Sequence, residues 1–398
     1  MGDAAAASAA KKHPWADDPL GCLIAPHDSA DFFAHLYERK PLIVSRNDPD
    51  RYADLLSIEA IDALIAGGDL RDGQIDLANA ADQIRKEAYI QGGIVDRGMI
   101  ARQYQGGATI ILQQLHQSNP TLAAFCRAVE HVFSAHTQTN IYLTPPTSQG
   151  FRTHYDNHDV FVLQVSGEKS WRLYDTPIEA PYRGEGFEPK AHEVGEVKHE
   201  FLLKAGDCAY VPRGLMHDAA TSGDAPSLHI TVGLIVRTWA DLMLEAVSEV
   251  ALKEPAFRRA LPAGYARPDF DRAGAEAQFH ALLEMLPKSA KLDAAFDLMI
   301  DGFVRSRLPD LAGAVRDGAR PIAAEDRFRA RRFTPWRLAE EGEKLILVAP
   351  GGEVEFTGAE EPALRRALSS VPFTLADLHG ADAELIRKLH AFGLIERL

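Results

Sequence analysis

Two histidines and an aspartate offer the most specific chemistry in this chain. In GFRTHYDNHDVFVLQ, His154 and Asp156 stand two residues apart just ahead of an apolar run. On extended backbone that period puts both side chains on one face, where they can converge on one ion. Taken alone, such an HxD pair more often serves hydrogen bonding than metal binding. The segment LLKAGDCAYVPRGLMHDA adds a third donor: it reads as strand, Gly-Asp turn, strand and a Pro-Arg-Gly turn that delivers His217. Two imidazoles and one carboxylate leave open positions on the ion, the arrangement associated with non-haem iron(II) oxygenases. Zinc hydrolysis uses similar ligands and is the alternative.

Two other histidines compete. His158 continues the two-residue period beyond Asp156, but three ligands from one short strand rarely wrap an ion. His229, in SLHITVGL, reads better as a hydrogen-bonded histidine inside the sheet or beside the ligands.

If iron is the metal, the open positions suit a keto acid and oxygen. A 2-oxoglutarate molecule would chelate through its C1 carboxylate and keto oxygen, and its C5 carboxylate would then need a buried cation. Lys169, in SGEKSWRLYD on the strand after HxD, is placed for that role. A lysine among apolar neighbours is costly to bury unless an anion meets it. The competing reading is a solvated lysine just after a glycine turn.

The elements that must position these residues change character along the chain. From Pro14 to about Thr139 the pattern is mixed: a helix-like DSADFFAHLYERK, an extended PLIVS, a helix from Ser57, a strand in GGATIILQQL and a helix in SNPTLAAFCRAVEHVFSA. From Asn140 to about Arg237 short strands follow one another between Gly, Pro, Asp and Asn turns, which predicts a sandwich or barrel. After Thr238 helical periodicity returns through TWADLMLEAVSEVALKEPAFRRAL and KLDAAFDLMIDGFVRSRL. DGARPIAAEDRFRARRF reads as a solvated basic linker. The end alternates the strand-like EKLILVAP and EVEFTG with helices, as a winged helix would.

At 398 residues, with 46% hydrophobic and 25% charged residues, the chain has room for two or three soluble domains. No apolar run approaches the roughly 20 residues of a membrane helix. The opening MGDAAAASAAKKHPW lacks the apolar core of a secretory signal and reads as a floppy arm. Only Cys22, Cys126 and Cys208 are present, too few and too scattered for a disulfide framework, which fits a reducing cytoplasm. The net charge of -14 disfavours nonspecific attachment to phosphate backbones and would suit a basic partner.

The run NIYLTPPTSQGFRTHYDNHDVFVLQVSGEKSWRLYD, followed by LKAGDCAYVPRGLMHDAATSGDAPSLHITVGL, strongly resembles the JmjC-type cupin ribosomal oxygenases. The likeness is dense from about Asn140 to Leu234 and looser on the flanks. It implies an α+β fold with a double-stranded β-helix (jelly-roll, cupin) JmjC core, a helical dimerisation region and a C-terminal winged-helix-like domain. On this chain those parts fall at 14–237, 238–320 and 321–398, after a disordered arm over 1–13. The implied activity is iron(II)-, 2-oxoglutarate- and O2-dependent hydroxylation of an arginine or histidine in a ribosomal protein, by a cytoplasmic homodimer. Matched position by position, the resemblance puts the metal triad on His154, Asp156 and His217 and the lysine for the C5 carboxylate on Lys169. It also puts co-substrate contacts on Asn140 and Ser227. Tyr142 and Gln149, on the same approach, could orient a substrate side chain, although packing and loop hydrogen bonding explain them equally well. His158 departs from the small or acidic residue expected there, which bears on substrate choice. Two other functions stay open: the same oxygenase chemistry on a peptide, free amino acid or methyl-lysine, and a non-catalytic cupin scaffold whose winged helix binds a partner. Direct nucleic-acid binding is disfavoured because the terminal helix carries Asp382 and Glu384.

Overall fold

The computed structural model describes residues 13–398 except 183, 190 and 343. All but the last residue of the expected arm therefore lies outside the described residues. That last one, His13, stacks on Trp15 and hydrogen-bonds Asp54. The chain forms two compact units, the first ending at Val236 and the second spanning Arg237–Leu398. Among the described residues no helix is long and apolar enough to cross a membrane.

Ten strands build the first unit around the site: β1 (Leu42–Val44), β2 (Ile75–Ala78), β3 (Thr109–Leu112), β4 (His136–Thr144), β5 (Asp159–Ser166), β6 (Glu168–Leu173), β7 (His199–Lys204), β8 (Cys208–Val211), β9 (His217–Thr221) and β10 (Ser227–Ile235). Seven form one antiparallel sheet in the order β1-β8-β5-β10-β4-β3-β2, and three form another in the order β9-β6-β7. The two sheets meet through Val160 and Val162 of β5, Ala209 and Val211 of β8, Trp171 and Leu173 of β6 and Leu203 of β7. The predicted sandwich is thus present.

The two sheets differ in how their strands are buried, and the sequence shows why. β5 is buried along almost its whole length. Its outer face carries Phe161, which packs against Phe133 at the end of the helix α1 (Pro120–Phe133) and against Phe32. A strand covered on both faces needs a continuous apolar run, and VFVL is one. β6 alternates instead, with Lys169, Trp171 and Leu173 buried and Glu168, Ser170 and Arg172 turned outward. Asn119 caps α1 through the Leu122 N–H. The Gly-Asp turn ahead of β8 holds Gly206 at φ +88, where a Cβ would sit 1.9 Å from the Asp48 carbonyl oxygen.

The second unit opens on α2 (Trp239–Lys253), α3 (Ala273–Ser289) and α4 (Leu292–Arg305), and a capping box of Thr238 and Asp241 starts α2. Further on, β12 (Arg337–Glu341), β13 (Lys344–Ala349) and β14 (Gly352–Thr357) form an antiparallel sheet. β11 (Phe328–Ala330) pairs with β15 (Ile395–Arg397), and α5 (Ala383–Ala391) completes a core with Leu347, Phe356, Phe373 and Leu389. The basic stretch read as a solvated linker is instead structural. Phe328 is buried, Arg329 pairs with Glu396, and the buried Arg331 faces Asp310 and Glu396. The partners lie far away in sequence, so the charge run gave no sign of them.

Candidate metal and co-substrate site

His154 precedes β5 and His217 opens β9, and the two exchange backbone hydrogen bonds of 3.0 and 2.7 Å. Gly214 in the Pro-Arg-Gly turn lies at φ +84 and donates its N–H to the Asp156 carbonyl at 2.9 Å, tying the third residue to the same junction. A Cβ at Gly214 would come within 2.1 Å of the Ile178 carbonyl oxygen, so glycine is required there. His154, Asp156 and His217 come together: one ligand atom of each lies within 4.8 Å of the others. His217 Nε2 is 3.8 Å from Asp156 Oδ2.

The hydrogen bonds behind the rings select the tautomer. Nδ1–H of His154 donates to the Arg152 carbonyl at 2.9 Å, and Nδ1–H of His217 donates to the Leu215 carbonyl at 3.0 Å. Both Nε2 atoms are left as lone-pair donors, as metal ligation needs. Burial, with neighbouring His154 adding to it, pushes the His217 pKa down to about 4, so the ring is neutral near pH 7.

His154, Asp156 and His217 line a cavity whose other walls include Tyr142, Phe151, Trp171, Lys169, His229 and Thr231. Lys169 is 4% exposed, and its Nζ donates to Thr144 Oγ1 at 3.0 Å, a hydroxyl that also accepts from Thr109 Oγ1 at 3.1 Å. Burial pulls its pKa down to about 7. An ammonium met only by a hydroxyl is under-compensated, and a carboxylate entering the cavity would repair that. His229 stacks on Tyr142 at 4.7 Å and meets Trp171 edge-on at 5.7 Å, and its buried Nδ1 has no hydrogen-bond partner among the described residues. Burial and then the Lys169 charge hold it neutral. The donor set fits a divalent metal, and the Lys169 end fits an anion.

The remaining candidates are placed less directly. Tyr142 lines the cavity, while Asn140, two residues before it on β4, is not among the lining residues and accepts from the Gln114 N–H through its Oδ1. Gln149 is not among the lining residues; it bridges to Ala220 and donates to the carbonyl of Phe151, which is. Ser227 also stays off the lining: it is fully buried and accepts from Gln164 Nε2 at 2.8 Å. The pairing of β10 with β5 is irregular there: Leu228 faces Ser166 and His229 faces Gln164, so β5 carries one extra residue, Val165. His158 is outside the ligand cluster and lies over Gly233, where a Cβ would be 2.6 Å from its ring. Thr144, Thr109 and Trp171 drew no attention in the sequence, since their place depends on how strands face across the sheets.

A JmjC domain profile matches residues 112–242. Ribosomal oxygenase 1 of Gallus gallus is 34% identical over 304 residues, covering 72% of this chain and 50% of that protein. The chain carries a JmjC domain and is similar to the ribosomal oxygenases. Another relative, "Bifunctional lysine-specific demethylase and histidyl-hydroxylase NO66" of Dictyostelium discoideum, is 29% identical over 408 residues, covering 92% of this chain and 78% of its own. The chain spans about half the length of several curated family relatives it matches. In fold it is similar to YcfD, a ribosomal oxygenase from Escherichia coli solved with cobalt and 2-oxoglutarate. The TM-score is 0.54 at 15% identity, over 93% of this chain and 98% of that one.

Proposed function

We propose that this chain is an iron(II)- and 2-oxoglutarate-dependent protein hydroxylase acting on an arginine or histidine of a ribosomal protein. One observation carries the reading: a three-donor cluster with both imidazole Nε2 atoms free shares a cavity with a buried, under-compensated lysine. His154, Asp156 and His217 would hold the metal, and Lys169 with Thr144 would hold the far carboxylate of the co-substrate. Bound iron and 2-oxoglutarate supply the oxidising power for hydroxylation by O2. The chain's own residues orient that pair, exclude water behind Trp171 and His229, and leave the His154 side open between Phe151 and Phe187, which lie 5.6 and 6.3 Å from its ring.

We assign 14–237 to catalysis, 238–320 to dimerisation and 321–398 to a winged-helix-like module. Exposed Trp239, Leu252 and Phe279 on α2 and α3, and Leu308 beyond α4, support a homodimer. Light scattering of the purified chain should give twice the monomer mass; a monomer at all concentrations removes that part. The deciding experiment incubates ribosomal proteins with the chain, iron(II) and 2-oxoglutarate and weighs the products. Gain of one oxygen atom on one residue supports hydroxylation. Loss of a methyl group with release of formaldehyde supports the second reading, lysine demethylation, which the name of the Dictyostelium relative favours.

A further inference from the structure

On the side of β9 away from His217, the next residue makes an unusually complete set of contacts. Asp218 is 3% exposed. Its Oδ1 accepts from Arg172 Nε at 3.0 Å and Nη2 at 2.8 Å, and its Oδ2 accepts from Thr153 Oγ1 at 2.7 Å and the Tyr174 hydroxyl at 2.6 Å. Thr153 immediately precedes His154, and Asp218 immediately follows His217. The two histidines are locked to each other by their reciprocal backbone hydrogen bonds. On extended backbone, neighbouring side chains point to opposite faces, so a tie between 153 and 218 on one face sets the spacing of 154 and 217 on the other.

We propose that Asp218 is a positioning residue that, through Thr153 and Tyr174, holds His154 and His217 at the separation one metal ion requires. The proposal rests on the metal reading of the triad. The clasp has two halves. Arg172, with a side chain 42% exposed, ties Asp218 to β6 from the solvent side. The Thr153 and Tyr174 hydroxyls bind from the dry side, where Tyr174 packs with Tyr155 and Met216. A purely structural role would be carried mainly by the charged Arg172 pair and by that packing. A positioning role needs the hydroxyls, because the hydrogen bond that Thr153 Oγ1 donates joins Asp218 to the segment that holds His154.

Conservative changes separate the two roles. Thr153→Val and Tyr174→Phe each delete one hydroxyl and keep the shape, and Thr153→Ser restores the first. Cobalt(II) would be titrated into the full chain and its variants, following the visible absorption of the bound ion, with the melting temperature recorded alongside. Each deletion is expected to weaken cobalt(II) binding about tenfold and to shift the absorption band, as loss of a hydrogen bond behind a ligand does. The melting temperature should stay near that of the parent, and Thr153→Ser should recover affinity and spectrum. Parent-like cobalt(II) affinity and spectrum in both deletion variants overturn the proposal and leave the metal reading intact. Failure of the parent chain itself to bind cobalt(II) overturns both.

Discussion

The two ends of the cavity are built on opposite plans. At the metal end both imidazoles are satisfied from behind: the Nδ1 atoms of His154 and His217 bond backbone carbonyls, while the Asp156 side chain remains 30% exposed. At the inner end Lys169 is buried beside a hydroxyl, and His229 Nδ1 has no partner among the described residues. The first end is preorganised and open, which suits exchange of metal and entry of a target side chain. The second holds a buried charge that an incoming anion or the loss of a proton relieves. Preorganisation without an ion costs little stability; an unmatched buried ammonium costs a good deal.

That contrast can be broken at each end, with effects of decreasing size. Asp156→Ala or His217→Ala should abolish metal binding and succinate formation, as seen by metal analysis and co-substrate turnover, because two donors do not make a tight site. Turnover equal to the parent's would remove the residue from the metal set. Lys169→Met should raise the 2-oxoglutarate KM about 100-fold, the loss of a buried charge-assisted contact of about 3 kcal/mol. The same variant should melt at a higher temperature, since an apolar side chain replaces an under-compensated charge, by about 1–4 kcal/mol of stability. A lower melting temperature would mean that Lys169 is already well paired.

The inner end also carries a pH signature. In the empty cavity burial holds the Lys169 pKa at about 7, well below an ordinary lysine. Above that pH the empty site is neutral, and binding a dianion must draw in a proton; below it the ammonium is already present. Calorimetry in buffers of different ionisation enthalpy should show about one proton taken up per 2-oxoglutarate bound at pH 8 and little at pH 6. Uptake that does not change with pH would contradict this. For the empty protein the sign runs the same way: the unfolded chain holds the lysine proton up to its ordinary pKa, so this group's contribution to stability rises between about pH 7 and 10. The smallest effect is expected from Ser227→Ala. Its hydroxyl meets Gln164 rather than the cavity, so the 2-oxoglutarate KM should not move.

Much of this contrast could be read in the chain itself. HxD before an apolar strand, and a histidine delivered by Pro-Arg-Gly, specify the metal end because both signals are local. Lys169 was legible as well, since it falls on the inward-facing phase of an alternating strand. The helices that follow Asn119 and Thr238 showed in their apolar periodicity. What stayed hidden depends on contacts between distant segments. Thr144 and His229 matter only because β4 and β10 lie side by side facing β6. The contact between Ser227 and Gln164 was hidden for the same reason, since it joins β10 to β5 beside the extra residue Val165. The arginines of β11 and its flank looked solvated because Asp310 and Glu396 lie far from them in sequence.

The central claim is that one cavity joins a metal to 2-oxoglutarate. It is tested most directly by binding radiolabelled 2-oxoglutarate to the chain with and without cobalt(II), for the parent and for Asp156→Ala. The account predicts tight binding of one molecule per chain only when the parent has its metal, and weak binding in the other three cases. Equal binding with and without the metal, or binding that survives Asp156→Ala, would contradict it.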